Sequence, residues 1–267
     1  MVKCRAVMEA LERIAPSYLA EDWDNPGLLV GSPGGEIRRI LVSLDVSDAV
    51  VQQAVYEGAD MIVAHHPLLF KPIKSIRTDE PLGHRLQLLL RQNIAVAAAH
   101  TNLDIARGGV NDVLAAAIGL SSISNFVITR QNEPGDEESL GRIGLLPQPM
   151  TIRAFAAQVR DALPVEYVRL VQAGDRPVRK VALCSGSGAD FIGRAAAMGA
   201  DAYVTGDVRY HDAQHAAELG LHVIDAGHFG TEYPVVAALA ERLRGAFRPG
   251  QVEVISDCAA KDFFSLV

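Results

Sequence analysis

Two stretches of this chain read alike at a fixed distance. Arg39-Ile-Leu-Val-Ser-Leu is matched by Lys180-Val-Ala-Leu-Cys-Ser, and Glu57-Gly-Ala-Asp60-Met-Ile-Val by Met198-Gly-Ala-Asp201-Ala-Tyr-Val, both displaced by 141 positions (39 to 180, 60 to 201). An equal, gap-free displacement over two separate motifs points to a duplicated structural unit. In the first copy Ile37 to Leu44 reads as a buried strand, Val46 to Glu57 as a helix, Gly58-Ala-Asp60 as its stop, and Met61 to Ala64 as a second apolar strand. Successive βαβ units impose a largely parallel sheet with helices on its faces. The fold class expected is therefore α/β, with two similar domains from an internal duplication, and 267 residues are enough for both.

The rest of the chain fits this scheme. Val2 to Ile14 carries apolar residues at helical spacing and stops at Pro16, and Glu21 to Gly31 is turn-rich, holds the only Trp and leads into a short strand. Gly83 to Gln92 reads as a helix, Ile94 to Ala99 as a strand, and an Ala/Leu-rich helix runs from Gly109 to about Ile118. The polar stretch from Ser121 to Gly141, with Glu133-Pro-Gly-Asp-Glu-Glu as its sharpest turn signal, is where the domains are expected to meet, giving 1–125 and 126–267. Beyond it come a strand over Arg142 to Leu146, a helix capped by Thr151, and a strand over Val165 to Val171.

Composition excludes several classes. A hydrophobic share of 49% with 21% charged residues describes a compact soluble protein, and the formal charge of −7 without any Lys/Arg-rich run argues against a nucleic-acid binder. With no cleavable leader and no apolar run of about eighteen residues, the expected location is the cytoplasm, away from membranes. Cys4, Cys184 and Cys258 are odd in number and far apart, which indicates neither a disulfide framework nor a thiolate metal site.

Chemistry concentrates where the strands end. Met61-Ile-Val-Ala is followed at once by His65-His66-Pro67. In a continuing strand these two side chains would point to opposite faces, so they serve two neighbouring ions more naturally than one. The next strand ends in His100-Thr-Asn-Leu-Asp104, and Gly227-His228-Phe-Gly-Thr-Glu232 repeats the spacing, displaced by 128 (100 to 228, 104 to 232). His65, His66, Asp104, His228 and Glu232 thus supply three imidazoles and two carboxylates at strand ends, an N/O set suited to zinc, iron, manganese or cobalt. Two divalent ions on two carboxylates leave positive charge for a hydroxide or an anionic small molecule. Glu232 is expected near the start of a helix heralded by Thr231 and Pro234, where a bridging role would fit it.

At these residues the chain resembles a known family. Asp22-Trp-Asp-Asn-Pro-Gly-Leu, Ala64-His-His-Pro-Leu, Ala99-His-Thr-Asn-Leu-Asp104, Val204-Thr-Gly-Asp207 and Gly227-His-Phe-Gly-Thr-Glu232 together look like the dinuclear-metal-centre toroidal-hexamer family. It is also called the NGG-one interacting factor three family, and its members are often labelled GTP cyclohydrolase I type 2 homologues. The resemblance spans essentially the whole chain. It implies two metal ions in a cleft between the two domains, held by His65, His66, Asp104, His228 and Glu232 with Glu232 as the bridge, and six chains in a ring. Some longer members carry an additional domain between the halves; this chain has only a short connection there.

Other features take plainer readings. His100 is a candidate group beside the metals rather than a ligand. Ser185-Gly-Ser-Gly188 reads as a tight strand-to-helix turn, because Phe191 stands where a dinucleotide fingerprint needs its third glycine. His211-Asp-Ala-Gln-His215 has helical spacing without the Glu of a metalloprotease motif, and Asp207 and His211 are placed at the cleft. Asp45 and Asp60 read as a strand-end acid and a turn residue. Two functions follow: a metal-dependent hydrolase acting on an anionic or nucleotide-like substrate, or a non-enzymatic metal-handling or regulatory ring.

Overall fold

In a computed structural model, which describes residues 1–133 and 136–265, the chain alternates strands and helices as the sequence predicts. Its first part runs β1 (Val2–Lys3), α1 (Cys4–Ile14), β2 (Gly27–Val30), β3 (Glu36–Ile37), β4 (Arg39–Ser43), α2 (Asp48–Glu57), β5 (Met61–Ala64), α3 (Pro81–Arg91), β6 (Ala95–Ala98) and α4 (Thr101–Ile105). Then come α5 (Val110–Ala117), β7 (Ser121–Glu133), β8 (Asp136–Met150), α6 (Ile152–Ala162), β9 (Arg169–Val171) and β10 (Val178–Ser187). The last part is α7 (Ile192–Ala197), β11 (Ala202–Gly206), α8 (Tyr210–Glu218), β12 (His222–Asp225), α9 (His228–Glu232), α10 (Pro234–Gly245) and β13 (Glu253–Ser256). No helix among the described residues is long and apolar enough to cross a membrane.

Two compact units result, and neither matches a single cut near residue 125. One joins Met1–Ala106 with Val236–Val267, and the other is Arg107–Val235. The reason is strand pairing. The C-terminal β13 adds to β4 in parallel and completes the first sheet, ordered β13-β4-β5-β6-β2. The stretch 121–141, expected as a polar connection, instead folds as the long antiparallel pair β7 and β8, which joins the second sheet, β7-β8-β10-β11-β12-β9. Its strand character comes from residues such as Phe126 and Ile143, which are buried, and from Ser139, whose Oγ accepts from the Phe126 amide at 2.8 Å. The strand expected at 142–146 is the second half of β8. Pro134 and Gly135, at the centre of the expected turn, lie outside the described residues.

Apolar strands buried on both faces explain the layering. In the first unit Leu41, Ile62 and Val96 pack with Val50, Val51 and Ala54 of α2 and Leu86 and Leu89 of α3. In the second, alternate residues of β10 face opposite ways. Val181 and Leu183 meet Leu114 of α5 and Phe155 and Val159 of α6, while Ala182 and Cys184 meet Ile192 of α7, Ala216 of α8 and the buried Tyr203.

The sequence repeat corresponds to a repeated local construction. Helix α2 stops at Gly58 in the left-handed region (φ 64°), and Gly199 does the same after α7 (φ 70°). Two residues on, the Asp60 carboxylate accepts from the amides of Arg38 and Arg39 at 2.7 and 3.0 Å; Asp201 accepts from Arg179 and Lys180 at 3.0 and 2.9 Å. Each carboxylate thereby anchors the start of the first strand of its βαβ unit to the start of the second. Asp60→Ala and Asp201→Ala are expected to cost about 1–2 kcal/mol each, since each strands two amides. Urea unfolding of the single and double variants checks this, and a double variant no weaker than either single would contradict it.

Candidate metal centre

In the first unit, β5 ends at Ala64 and the chain bends before Pro67, so the alternation expected of a continuing strand does not apply to His65 and His66. Both imidazoles lie together, with ring centroids 4.9 Å apart. Backbone bonds hold the bend: the His65 amide donates to Ser43 O at 3.1 Å and the His66 amide to Leu44 O at 2.8 Å. Parallel register brings in the neighbours. Ser43, Ala64 and Ala98 are aligned across β4, β5 and β6, so Asp45, His66 and His100, each two residues further on, fall in one row.

The row fixes how the rings are turned. His65 Nδ1 lies 2.9 Å from Ala99 O, His66 Nδ1 2.8 Å from Asp45 Oδ1, and His100 Nδ1 2.7 Å from Asp24 Oδ1. An oxygen acceptor at Nδ1 favours a proton there, which gives Nε2 the part of lone-pair donor toward a metal. Each of the three residues offers a ring nitrogen, all within 4.8 Å of one another. Asp104, on the short α4 that begins just after His100, is buried and places Oδ1 3.6 Å from His65 Nε2. His100 is itself held by Asp24, whose carboxylate also accepts from the Thr101 amide at 3.0 Å and from its hydroxyl.

In the second unit His228 and Glu232 occupy α9, one turn apart. His228 Nδ1 meets Asp207 Oδ2 at 2.8 Å, as His66 meets Asp45, and its Nε2 lies 3.1 Å from Glu232 Oε2, as His65 Nε2 faces Asp104. Glu232 is buried and closes α9, two residues ahead of α10, and so stands near the start of the helix that Pro234 opens. Close backbone approach makes room for it. A Cβ on Gly186 would stand 2.2 Å from Glu232 Oε1, and one on Gly206 would stand 2.7 Å from the His228 amide nitrogen. Thr231 Oγ1 ties these loops together, accepting from the Gly186 amide at 2.9 Å and lying 2.9 Å from Gly227 O, to which it donates.

Ser185-Gly-Ser187, expected as a turn, is instead the irregular last part of β10, where the pairing with β11 shifts register between Leu183 and Ser187 and Gly186 passes against the Glu232 carboxylate; the Gly188 amide beyond it donates to Thr205 Oγ1 at 3.1 Å. His211 sits exposed on α8, its Nδ1 3.5 Å from the Gln214 side-chain oxygen. Asp45 does more than end a strand, since it orients His66. The signal that could have found it is register: an acid two residues past one parallel strand lies beside a histidine two residues past its neighbour.

The sequence profile of Duf34/NIF3 (NGG1p interacting factor 3) matches residues 2–262. The chain belongs to this family. Among its Duf34/NIF3 relatives, a Clostridium perfringens protein named GTP cyclohydrolase 1 type 2 homolog is 36% identical over 267 residues, all of both chains. Two solved structures share the fold throughout. One is a Bacillus cereus protein related to NIF3, 28% identical, with a TM-score of 0.94 over 100% of this chain and 99% of that one. The other is the Staphylococcus aureus protein SA1388, 29% identical, with a TM-score of 0.92 over 100% of this chain and 99% of that one.

Proposed function

We propose that this Duf34/NIF3 protein is a metal-dependent hydrolase with a dinuclear centre, acting on an anionic, nucleotide-like substrate. The ligands in this reading are His65, His66, Asp104, His228 and Glu232, with Glu232 bridging two ions of zinc, iron, manganese or cobalt. What supports it is the common orientation of the histidines. His65, His66 and His228 each have Nδ1 against an oxygen, which leaves Nε2 for a metal, and Asp104 and Glu232 stand within 3.6 and 3.1 Å of such a nitrogen. The donor set fits divalent ions of borderline hardness.

Such ions, when bound, lower the pKa of a bound water and polarise the bond under attack. The chain's own contribution is to hold the ligand rings in one orientation and to keep Asp104 and Glu232 buried opposite them. His100, fixed by Asp24, stands beside His65 and His66 and offers its Nε2 for a proton. Three imidazoles and two carboxylates leave a centre of two divalent ions cationic, so the substrate is taken to be an anion; the naming of the relatives makes GTP the first to try.

We further infer that the units descend from one duplicated unit, on the matching Asp60 and Asp201 anchors, and that the chain assembles as a hexamer, which native mass spectrometry would test. The metal reading is tested by elemental mass spectrometry on protein purified without added metal. About two ions per chain are expected, with fewer in Glu232→Ala. Negligible metal that zinc, manganese or iron fail to restore would end this reading.

A further inference from the structure

The turn that carries the only tryptophan is tightly tied, yet its tryptophan is open. Asp24 is used by His100 and Thr101, and the next residue, Asn25, donates from Nδ2 to Leu69 O at 2.5 Å. These bonds join the turn to the segment of His100 on one side and to the segment ending in Phe70 on the other. Trp23 nevertheless keeps 60% of its surface exposed and Phe70 43%.

With His100 these rings make a corner. Trp23 and Phe70 have centroids 5.9 Å apart with planes at 72°, Trp23 and His100 are 6.1 Å apart at 76°, and Phe70 and His100 are 6.1 Å apart at 86°. Three planes near right angles allow a flat ring to stack on one wall while meeting the others edge-on, and both are favoured aromatic geometries. A cluster built only for packing would bury its tryptophan, the largest apolar gain available to it. The third wall also belongs to the histidine cluster, 5.2 Å from His65 and 5.6 Å from His66 between centroids. Just beyond Phe70 the chain is exposed and carries Lys71 and Lys74, while Arg77 of the same stretch pairs with Asp79 and Glu80. In a chain of net charge −7 this is a local source of positive charge.

We propose that Trp23, Phe70 and His100 form a stacking site for the planar heteroaromatic ring of a substrate that also bears a phosphate-type anion, a reading that rests on the reaction centre proposed above. The ring lies against the corner and the anion reaches Lys71 and Lys74. The single tryptophan reports on it directly. Trp23 emission is followed at low protein concentration, in metal-free and metal-loaded protein, on addition of GTP or ATP, with inorganic triphosphate and ribose 5-phosphate as ring-free controls.

Saturable quenching by the nucleotides and not by the controls is expected, with Phe70→Ala weakening it about tenfold. By equilibrium dialysis Trp23→Ala should lose about tenfold in affinity and Trp23→Phe should recover most of it. Equal effects from triphosphate and GTP, or unaltered binding in Phe70→Ala and Trp23→Ala, would overturn the proposal. So would emission that tracks protein concentration and ignores nucleotide, which would mean that a second copy covers the corner. Full metal loading without ring-dependent quenching defeats the corner alone; ring-dependent quenching in a protein that takes up no metal defeats the hydrolase reading and leaves the corner standing.

Discussion

Gly186→Ala is expected to leave the protein folded and to lower its metal affinity by about tenfold to a hundredfold. The added methyl would stand 2.2 Å from Glu232 Oε1 and 3.3 Å from His228 Cε1, and Gly186 has φ +61°. The first atom in its way is the far end of a side chain, so the carboxylate moves before the backbone does. Stability should fall only by the cost of a left-handed alanine, about 1–2 kcal/mol. Gly199→Ala supplies the control. It has a similar φ of +70° with nothing within 4 Å of an added Cβ, so it carries the backbone cost without the displacement. Metal titration of both variants beside their thermal unfolding separates the two effects. If both bind metal equally well, the close approach of Gly186 does not position a ligand.

The second large effect is expected at Asp24. Burial pushes its carboxyl pKa up, but hydrogen bonds from His100 and from the Thr101 hydroxyl and amide, with the charge of His100, outweigh it and hold the value at about 2. A folded pKa below the unfolded one means that the stabilisation is complete above the unfolded value of 3.8 and is lost as pH falls toward 2. The shift corresponds to about 2 kcal/mol. Asp24→Asn keeps the shape but has one acceptor oxygen where two are used, so either His100 or Thr101 faces an NH₂ group. The variant should be about 2–3 kcal/mol less stable than wild type at pH 6, with the gap closing between pH 4 and pH 2. Unfolding measured across that range tests this, and a gap independent of pH would show that the carboxylate charge is not what holds the turn.

The strands and helices of the βαβ units were legible because their signals are local. Met61–Ala64 is a short apolar run between a Gly-Ala-Asp stop and His-His-Pro, and α6 begins at a threonine whose hydroxyl accepts from the Ala154 amide at 3.3 Å. The hairpin of β7 and β8 was not, since its serines, glycines and acids are loop formers in isolation and become strand only by pairing along β10. Nor was β13, four residues whose partner lies in β4. The histidines and carboxylates proposed as ligands could be picked from strand ends and repeated spacing. Of their orienting partners, Asp45 needed the register of β4 against β5, and Asp24 was hidden because nothing in a linear sequence states that its turn lies beside His100.

That late pairing bears on how the chain is made. The first unit is begun at the amino end, yet one edge of β4 receives its partner only after the whole of Arg107–Val235 and α10 has been synthesised. During vectorial synthesis the second unit has all its own strands before the first does. An unpaired β4 edge offers amides and carbonyls to any other nascent strand. A ribosome stalled short of residue 253 would therefore hold a first unit open to mispairing beside a second unit free to fold.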